Sequence, residues 1–347
     1  HGFVLAVAAT LVATSASAAQ LVAITGGRVF PVSGPPIDNA TVLIRDGRIV
    51  QVGANVAVPA GAQRIDAAGK WVTPGLVDAE TQLGLFDVSY GSGPTDVSAR
   101  GRGDALTPSF RVWEGMNPRS VYVAPARQGG VTSVIVAPGT NNVLGGQASL
   151  VDLVDGQLSD MLVKAPAAMF GNFDGPPSDR IGSRGELFAR LREVLEDTRA
   201  FMRRRSEFER NQTRAFAVGR VDLEAMIPVL EGRMPLVLQA SRASDIETAL
   251  QIAKEYSLRL VIAGAAEGWM VADKVSAAKV PVLVGAMNNI PLSFSTLGSR
   301  QENAARLRAA GVSVSMIGNA GGGDEEAFNV RNVRQEAGNA VAYGLPW

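Results

Sequence analysis

From Pro74 onward the sequence repeats one unit, a short apolar run followed by a longer stretch with apolar residues at helical spacing. The runs are GLVDA (75–79), VTSVIVAP (131–138), MLVKAPAAMFG (161–171), PLVLQA (235–240), RLVIAG (259–264), VPVLVG (280–285) and VSVSMIG (312–318). Helical candidates between them are DIETALQIAKEYS (245–257), EGWMVADKVSAAK (267–279) and RQENAARLRAAG (300–311). Continuous apolar strands separated by amphipathic helices mean parallel β-structure covered on both faces, because each crossover lays a helix on the sheet. A less distinct run at Gln147–Leu153 brings the count to eight, the number that closes a parallel sheet into a barrel. The expected fold is therefore α/β, a (β/α)8 TIM-type barrel over 74–347, with a doubly wound open sheet as the alternative.

The stretch before Pro74 has a different period. LVAITGGRVF, TVLIRDGRIVQVG and QRIDAAGKWV are β-type runs separated by turns. Asp46-Gly47 marks a hairpin, since that pair accepts the positive φ of a tight two-residue turn. Residues 20–73 are expected to form a β-sandwich segment too small for a core of its own. It would need a partner sheet, from the following domain or from a C-terminal part missing here. Within the barrel region, the Gly-, Ser-, Pro- and Asp-rich stretch 84–118 predicts a loop over the barrel mouth or a mobile segment. Ser183–Arg210 predicts a charged outer helix with Leu187, Leu191, Val194 and Leu195 as its buried stripe.

Residues 2–19 are apolar and close on Ser17-Ala18-Ala19 before Gln20, the pattern of an export signal and its cleavage site. The apolar core is about a dozen residues, short of the roughly 20 that a spanning helix needs. Residues 1–19 are thus expected to be a signal peptide truncated at its start, leaving a periplasmic or secreted protein without a stable membrane span. We expect the sequence to be incomplete at both ends, since it lacks an initiator Met and stops just after a helix-like segment. Lys plus Arg equal Asp plus Glu at 33 each, and Arg203, Arg204 and Arg205 lie on a solvated helix face. Nucleic acid is not an expected partner.

The chain has one histidine, His1, and no cysteine. A zinc or iron centre built on imidazole or thiolate ligands therefore cannot be assembled from its interior.

That inventory matters because the stretch ITGGRVFPVSG…ATVLIRDGRIVQVG…IDAAGKWVTPGLVDAETQLGL resembles the opening of the amidohydrolase superfamily, nearest its imidazolonepropionase-like exported members. GVTSVIVAPGTNNVLGGQ (130–147), ASRASDIETALQIAKEYSLRLVIAGAAEGW (240–269) and AAGVSVSMIGNA (309–320) extend the likeness over nearly everything after Gln20. The resemblance implies a metal-dependent hydrolase of carbon–nitrogen bonds on a (β/α)8 barrel with a small composite sandwich. Its metal ligands would stand at strand ends, where this chain has Glu80 and Gln82, Gln239 and Ser241, Gly264, and Asn319. Near the fourth strand, at Met169–Asn172, no counterpart of a bridging carboxylate or lysine stands out.

A metal in such a site makes hydroxide by lowering the pKa of bound water from about 15.7 to about 7. One carboxylate with neutral amides, a hydroxyl and a glycine makes at best a weak hard-cation site. The expected metal and cofactor complement is none. Glu80 and Asn319 remain the candidate catalytic residues, and Glu80, Gln82, Gln239, Ser241, Gly264 and Asn319 the candidate pocket. Two functions follow: a non-catalytic binder of a small molecule or of an active homologous subunit outside the cytoplasm, or a divergent hydrolase of carbon–nitrogen bonds. Asp78 is expected to shape its strand end. The Gly145-Gly146 pair is read either as a ligand cradle or as a sharp reversal, and Gly321–Gly323 as an exit from the last strand.

Overall fold

A computed structural model describes residues 20–86, 96–99, 106–139, 142–174, 181–287, 291, 293–318 and 325–347. The export signal expected at 1–19, the candidate Asn319 and the Gly321–Gly323 exit lie outside the described residues. The chain divides at Pro74 into two compact units.

The smaller unit is one sheet of β1 (Leu21–Val29), β2 (Ile37–Arg45), β3 (Arg48–Gly53), β4 (Gln63–Asp66) and β5 (Trp71–Val72). Its order is β3-β2-β1-β4, with β5 also pairing with β1. Asp46 and Gly47 take φ of 50° and 75° in the β2–β3 hairpin, as that dipeptide predicts. Val29, Ala40 and Val42 form its small core. Among the described residues the unit is one five-stranded sheet, the small N-terminal sheet domain that the sequence predicts. Ile49, Val50, Ile65 and Trp71 stay exposed.

The larger unit holds β6 (Leu76–Thr81), β7 (Val131–Val136), β8 (Leu144–Asp152), β9 (Leu162–Asn172), β10 (Leu236–Ala240), β11 (Leu260–Gly264), β12 (Val282–Val284) and β13 (Val314–Met316). They join in simple sequence order into one eight-stranded sheet that is nearly closed. Every apolar run named above is a strand, and seven strands run parallel.

The exception is β8, which is antiparallel to both β7 and β9. The eighth strand is therefore where the sequence puts it, but reversed. A parallel return needs a crossover of a dozen or more residues. Residues 137–143 are too few for one, and the β8–β9 link holds only the one-turn helix Leu158–Met161. Gly146, φ +129°, lies in a register shift of β8, where a side chain would meet the Phe110 carbonyl oxygen at 2.6 Å. The Gly145-Gly146 stretch is thus part of a strand that accepts the close approach of a neighbouring segment. That segment is pinned: the Thr107 N–H donates to the Leu144 carbonyl at 2.9 Å, and the Gln147 N–H to Phe110 at 2.8 Å. Residues 106–111 of the expected 84–118 loop are thereby fastened along β8.

The interior is filled by Ala137, Ala148, Ala168, Phe170, Val237, Ala263, Leu283 and Ile317, the four alanines leaving space for the four larger side chains. Helices cover the outside. The longest, Arg184–Arg203, is capped by the Ser183 hydroxyl, which accepts the Glu186 N–H at 3.2 Å. It buries Leu187, Leu191, Val194 and Leu195 completely. Each such side chain contributes about 1.5–3 kcal/mol relative to exposure. The helix expected at 267–279 is split into a 3-10 turn, Gly268–Met270, and a helix, Ala272–Ala277. Val271, at φ −126° and ψ 21°, stands outside the helical region between them, and the Trp269 N–H donates to Asn303 Oδ1 at 3.0 Å. Among the described residues no helix is long and apolar enough to cross a membrane.

Candidate functional site at the strand ends

Because the seven parallel strands point one way, their C-terminal ends share one rim, and the described candidates, Glu80, Gln82, Gln239, Ser241 and Gly264, stand at strand ends there. The site is built from β9, β10 and β11. Asn172 closes β9 in register with Gln239 of β10, and its Oδ1 accepts the Asp174 N–H at 2.8 Å, turning the chain at the strand end. The turn aims Asp174 at the end of β10. There Asp174 Oδ2 accepts the Ser241 hydroxyl at 2.8 Å, and Oδ1 accepts the Ser241 backbone N–H. Burial pushes the Asp174 carboxyl above the usual carboxylate range, against the pull of the two Ser241 hydrogen bonds.

Gly264 ends β11 with φ +81°, a conformation that favours glycine. The missing side chain leaves a notch: its Cβ position lies 3.3 Å from Ser241 Oγ, 3.8 Å from Gln239 Cγ and 4.0 Å from Asp174 Oδ2. Gln239 Oε1 is buried with no hydrogen-bond partner. An orphaned acceptor of this kind costs about 1–3 kcal/mol.

Behind this corner stands Arg184. Its Nη1 donates to Asp245 Oδ2 at 2.9 Å and to the Phe173 carbonyl at 3.2 Å. Its Nη2 donates to Ser295 Oγ at 2.8 Å and to the Asp174 carbonyl at 3.4 Å. Ser295 Oγ also donates to the Asp174 carbonyl, at 2.9 Å. Burial raises the Asp245 carboxyl as well, opposed chiefly by Arg184 and then by Arg242.

The candidates at the end of β6 are separated from β10 by three strands along the sheet order. Asp78 is fully buried and accepts N–H groups from Glu80 at 3.1 Å and Gly318 at 3.0 Å. Glu80 is half-buried, and Gln82 is buried with its Oε1 unpartnered. The structure thus gathers Gln239, Ser241 and Gly264 into one corner, while Glu80 and Gln82 stand at the end of β6. Asp174, Arg184, Asp245 and Ser295 are members of this corner that sequence reasoning missed. The one available signal was the Asn172-Phe173-Asp174-Gly175 turn directly after a strand.

The donor set does not fit the metal that the family resemblance implies. Its positions offer one carboxylate, Glu80, with amides, a hydroxyl and a glycine, and both oxygens of Asp174 are engaged by Ser241. Among the described residues no group of three His, Cys, Asp or Glu side chains is placed to hold an ion.

Comparison with known proteins sets this geometry in context. No family model matches the sequence. The amidohydrolase tasK of Hapsidospora irregularis is 24% identical over 339 residues, covering 88% of this chain and 34% of that protein. The dihydroorotase of Citrifermentans bemidjiense is 31% identical over 140 residues, 40% of this chain and 27% of that enzyme. The chain therefore spans about a third or less of the length of these relatives. Among solved structures, an amidohydrolase from Thermotoga maritima superposes with a TM-score of 0.82 at 26% identity, covering 94% of this chain and 84% of that one. The homologues and structural neighbours of this chain are amidohydrolase-superfamily members.

Proposed function

We propose that this chain is a metal-independent member of its superfamily that binds a small molecule at the barrel rim, outside the cytoplasm, without hydrolysing it. The carrying observation is the chemistry of the rim. Where the resemblance implies imidazoles there are Glu80, Gln82, Gln239 and Gly264, a single carboxylate among neutral groups, and the buried carboxylate at the β10 corner is held by Ser241. Water at such a site keeps its ordinary pKa, because no dication is held to lower it. A barrel mouth stays concave when its chemistry is lost, so binding outlasts catalysis. Export is supported by the apolar stretch before Gln20.

One observation favours a second reading, hydrolysis of a carbon–nitrogen bond. Ser241 donates its hydroxyl proton to a buried carboxylate of raised proton affinity, an arrangement that can activate a nucleophile. The two readings separate in one experiment. The purified mature protein is analysed for metal and assayed on N-acylated amino acids, dipeptides and cyclic ureides. The binding reading expects no stoichiometric transition metal and no turnover. One zinc per chain overturns it, as does turnover abolished by Glu80→Gln or Ser241→Ala.

A further inference from the structure

We propose a second binding site, apart from the rim and beyond the reading above, in the groove between the helices Ala243–Tyr256 and Ala272–Ala277. Its ligand is an acyl carboxylate, an alkyl chain of medium length with one negative head. The two helices are unequal, fourteen residues against six. At 1.5 Å per residue they run about 21 Å and about 9 Å, so the shorter cannot cover the longer. A cavity of about 770 Å³ remains between them, within the roughly 300–1,000 Å³ of small-molecule sites. Its lining is chiefly apolar. Leu250 comes from the long helix, Leu258 and Val280 from the links that lead into β11 and β12, and Ala277 and Ala278 from the end of the short helix. With only methyl groups at those two positions, Leu250 and Leu258 stay half-buried.

Charge selects the head group. Three ionised side chains line the groove, Glu247, Lys254 and Lys274. Lys274 donates to Glu247, so those two charges cancel. Lys254 stands two turns further along the long helix, and its ammonium has no hydrogen-bond or ion-pair partner among the described residues. The groove therefore carries one net positive charge beside an apolar surface. An alkyl chain removes that surface from water, and one carboxylate meets the free ammonium. Gln251, one turn before Lys254 and also in the lining, offers an amide N–H to the second carboxylate oxygen. An alkylammonium would instead meet a like charge. No residue of this groove belongs to the strand-end corner, so the two sites stand or fall separately.

Octanoate, decanoate and octanol, titrated against the purified protein by calorimetry, test this. Decanoate is expected to bind about tenfold tighter than octanoate, because two further CH2 groups leave water. Lys254→Gln is expected to weaken both acids about fivefold, the worth of one ion pair at the edge of solvent, and to leave octanol unchanged. Lys254 is exposed and unpaired, so this variant should fold. Ala277→Trp fills the groove from an exposed position and is expected to abolish binding of all three, with thermal unfolding checking that the fold persists. The proposal is overturned if no probe binds, if chain length makes no difference, or if both acids ignore Lys254→Gln. Decanoate held by Ala277→Trp as well as by the native chain overturns it too. So does a second copy of the chain in the groove, seen by sedimentation as a dimer that Ala277→Trp dissociates.

Discussion

Asp78 on β6 accepts the backbone N–H of Gly318, 240 residues later in the chain, at 3.0 Å. The bond joins the first barrel strand to the exit of the last, across the seam of the sheet. Its partner bond, from the Glu80 N–H at 3.1 Å, uses the other oxygen. Burial outweighs both donors and pushes the Asp78 pKa up to about 7 from 3.8.

That shift predicts a pH dependence of stability. The folded protein keeps a proton on Asp78 that the unfolded chain has released above its pKa of 3.8. The contribution of this group is therefore complete below that value and is lost as pH rises to about 7, by a few kcal/mol in all. Asp174, Asp245 and Glu336 are also raised by burial and act in the same direction. Urea unfolding at pH 5 and pH 8 should give a lower midpoint at pH 8. Asp78→Asn should shrink that difference while lowering stability at both values, because an amide accepts only one of the two N–H groups. An unchanged difference would remove Asp78 from the account.

The Ser241 corner yields a ranking of substitutions. Asp174→Asn keeps one acceptor for the Ser241 N–H and offers a donor to its hydroxyl, so most of the contact survives. Asp174→Ala strands a buried N–H and a buried hydroxyl together, at about 1–3 kcal/mol for each group. Chemical denaturation should place the variants in the order wild type, Asn, Ala. An alanine variant as stable as the asparagine one would mean that water replaces the carboxylate.

Much of this architecture can be read from the residues alone, and the failures have physical reasons. An apolar run marks a buried strand whichever way the strand points, so Gln147–Leu153 revealed a strand and hid its reversal. Direction was encoded in the links: too few residues follow Val136, and only one helical turn, Leu158–Met161, precedes Leu162. At the rim, Gln239, Ser241 and Gly264 follow from family likeness and do meet. Asp174 lies just past a strand, where no periodicity operates. Arg184 reaches Asp245 and Ser295 across 61 and 111 residues, contacts that tertiary folding alone creates.

Arg184 makes a sharper case. Its guanidinium pairs with Asp245, whose side chain is 3% exposed, and also ties the 293–298 segment to the rim through Ser295. Removing one member of a buried pair leaves the other charge without its counter-ion, typically at about 3–5 kcal/mol. Arg184→Ala should lower stability on that scale and speed amide exchange at residues 293–298. Arg184→Lys should restore the charge but not the fork that holds Asp245 and Ser295 together, giving intermediate stability and exchange still fast. Exchange unchanged in both would show that the segment is held by other contacts.

The last prediction concerns zinc, and the composition makes it unusually clean. A ligand that binds only the folded state raises stability by about 2.7 kcal/mol at a hundredfold excess over its dissociation constant. Affinity for the unfolded chain normally blurs such a test, because free histidines and cysteines also take up zinc. Here the unfolded chain offers one histidine and no cysteine, so the melting temperature reports the folded site almost alone. Thermal unfolding with added zinc and with a chelator should give midpoints within about 1 °C of each other, far below the shift of several degrees that tight binding produces. A rise of that larger size, abolished by Glu80→Gln, would mean that Glu80 recruits oxygen ligands from across the rim, and the metal-independent reading would fall with it.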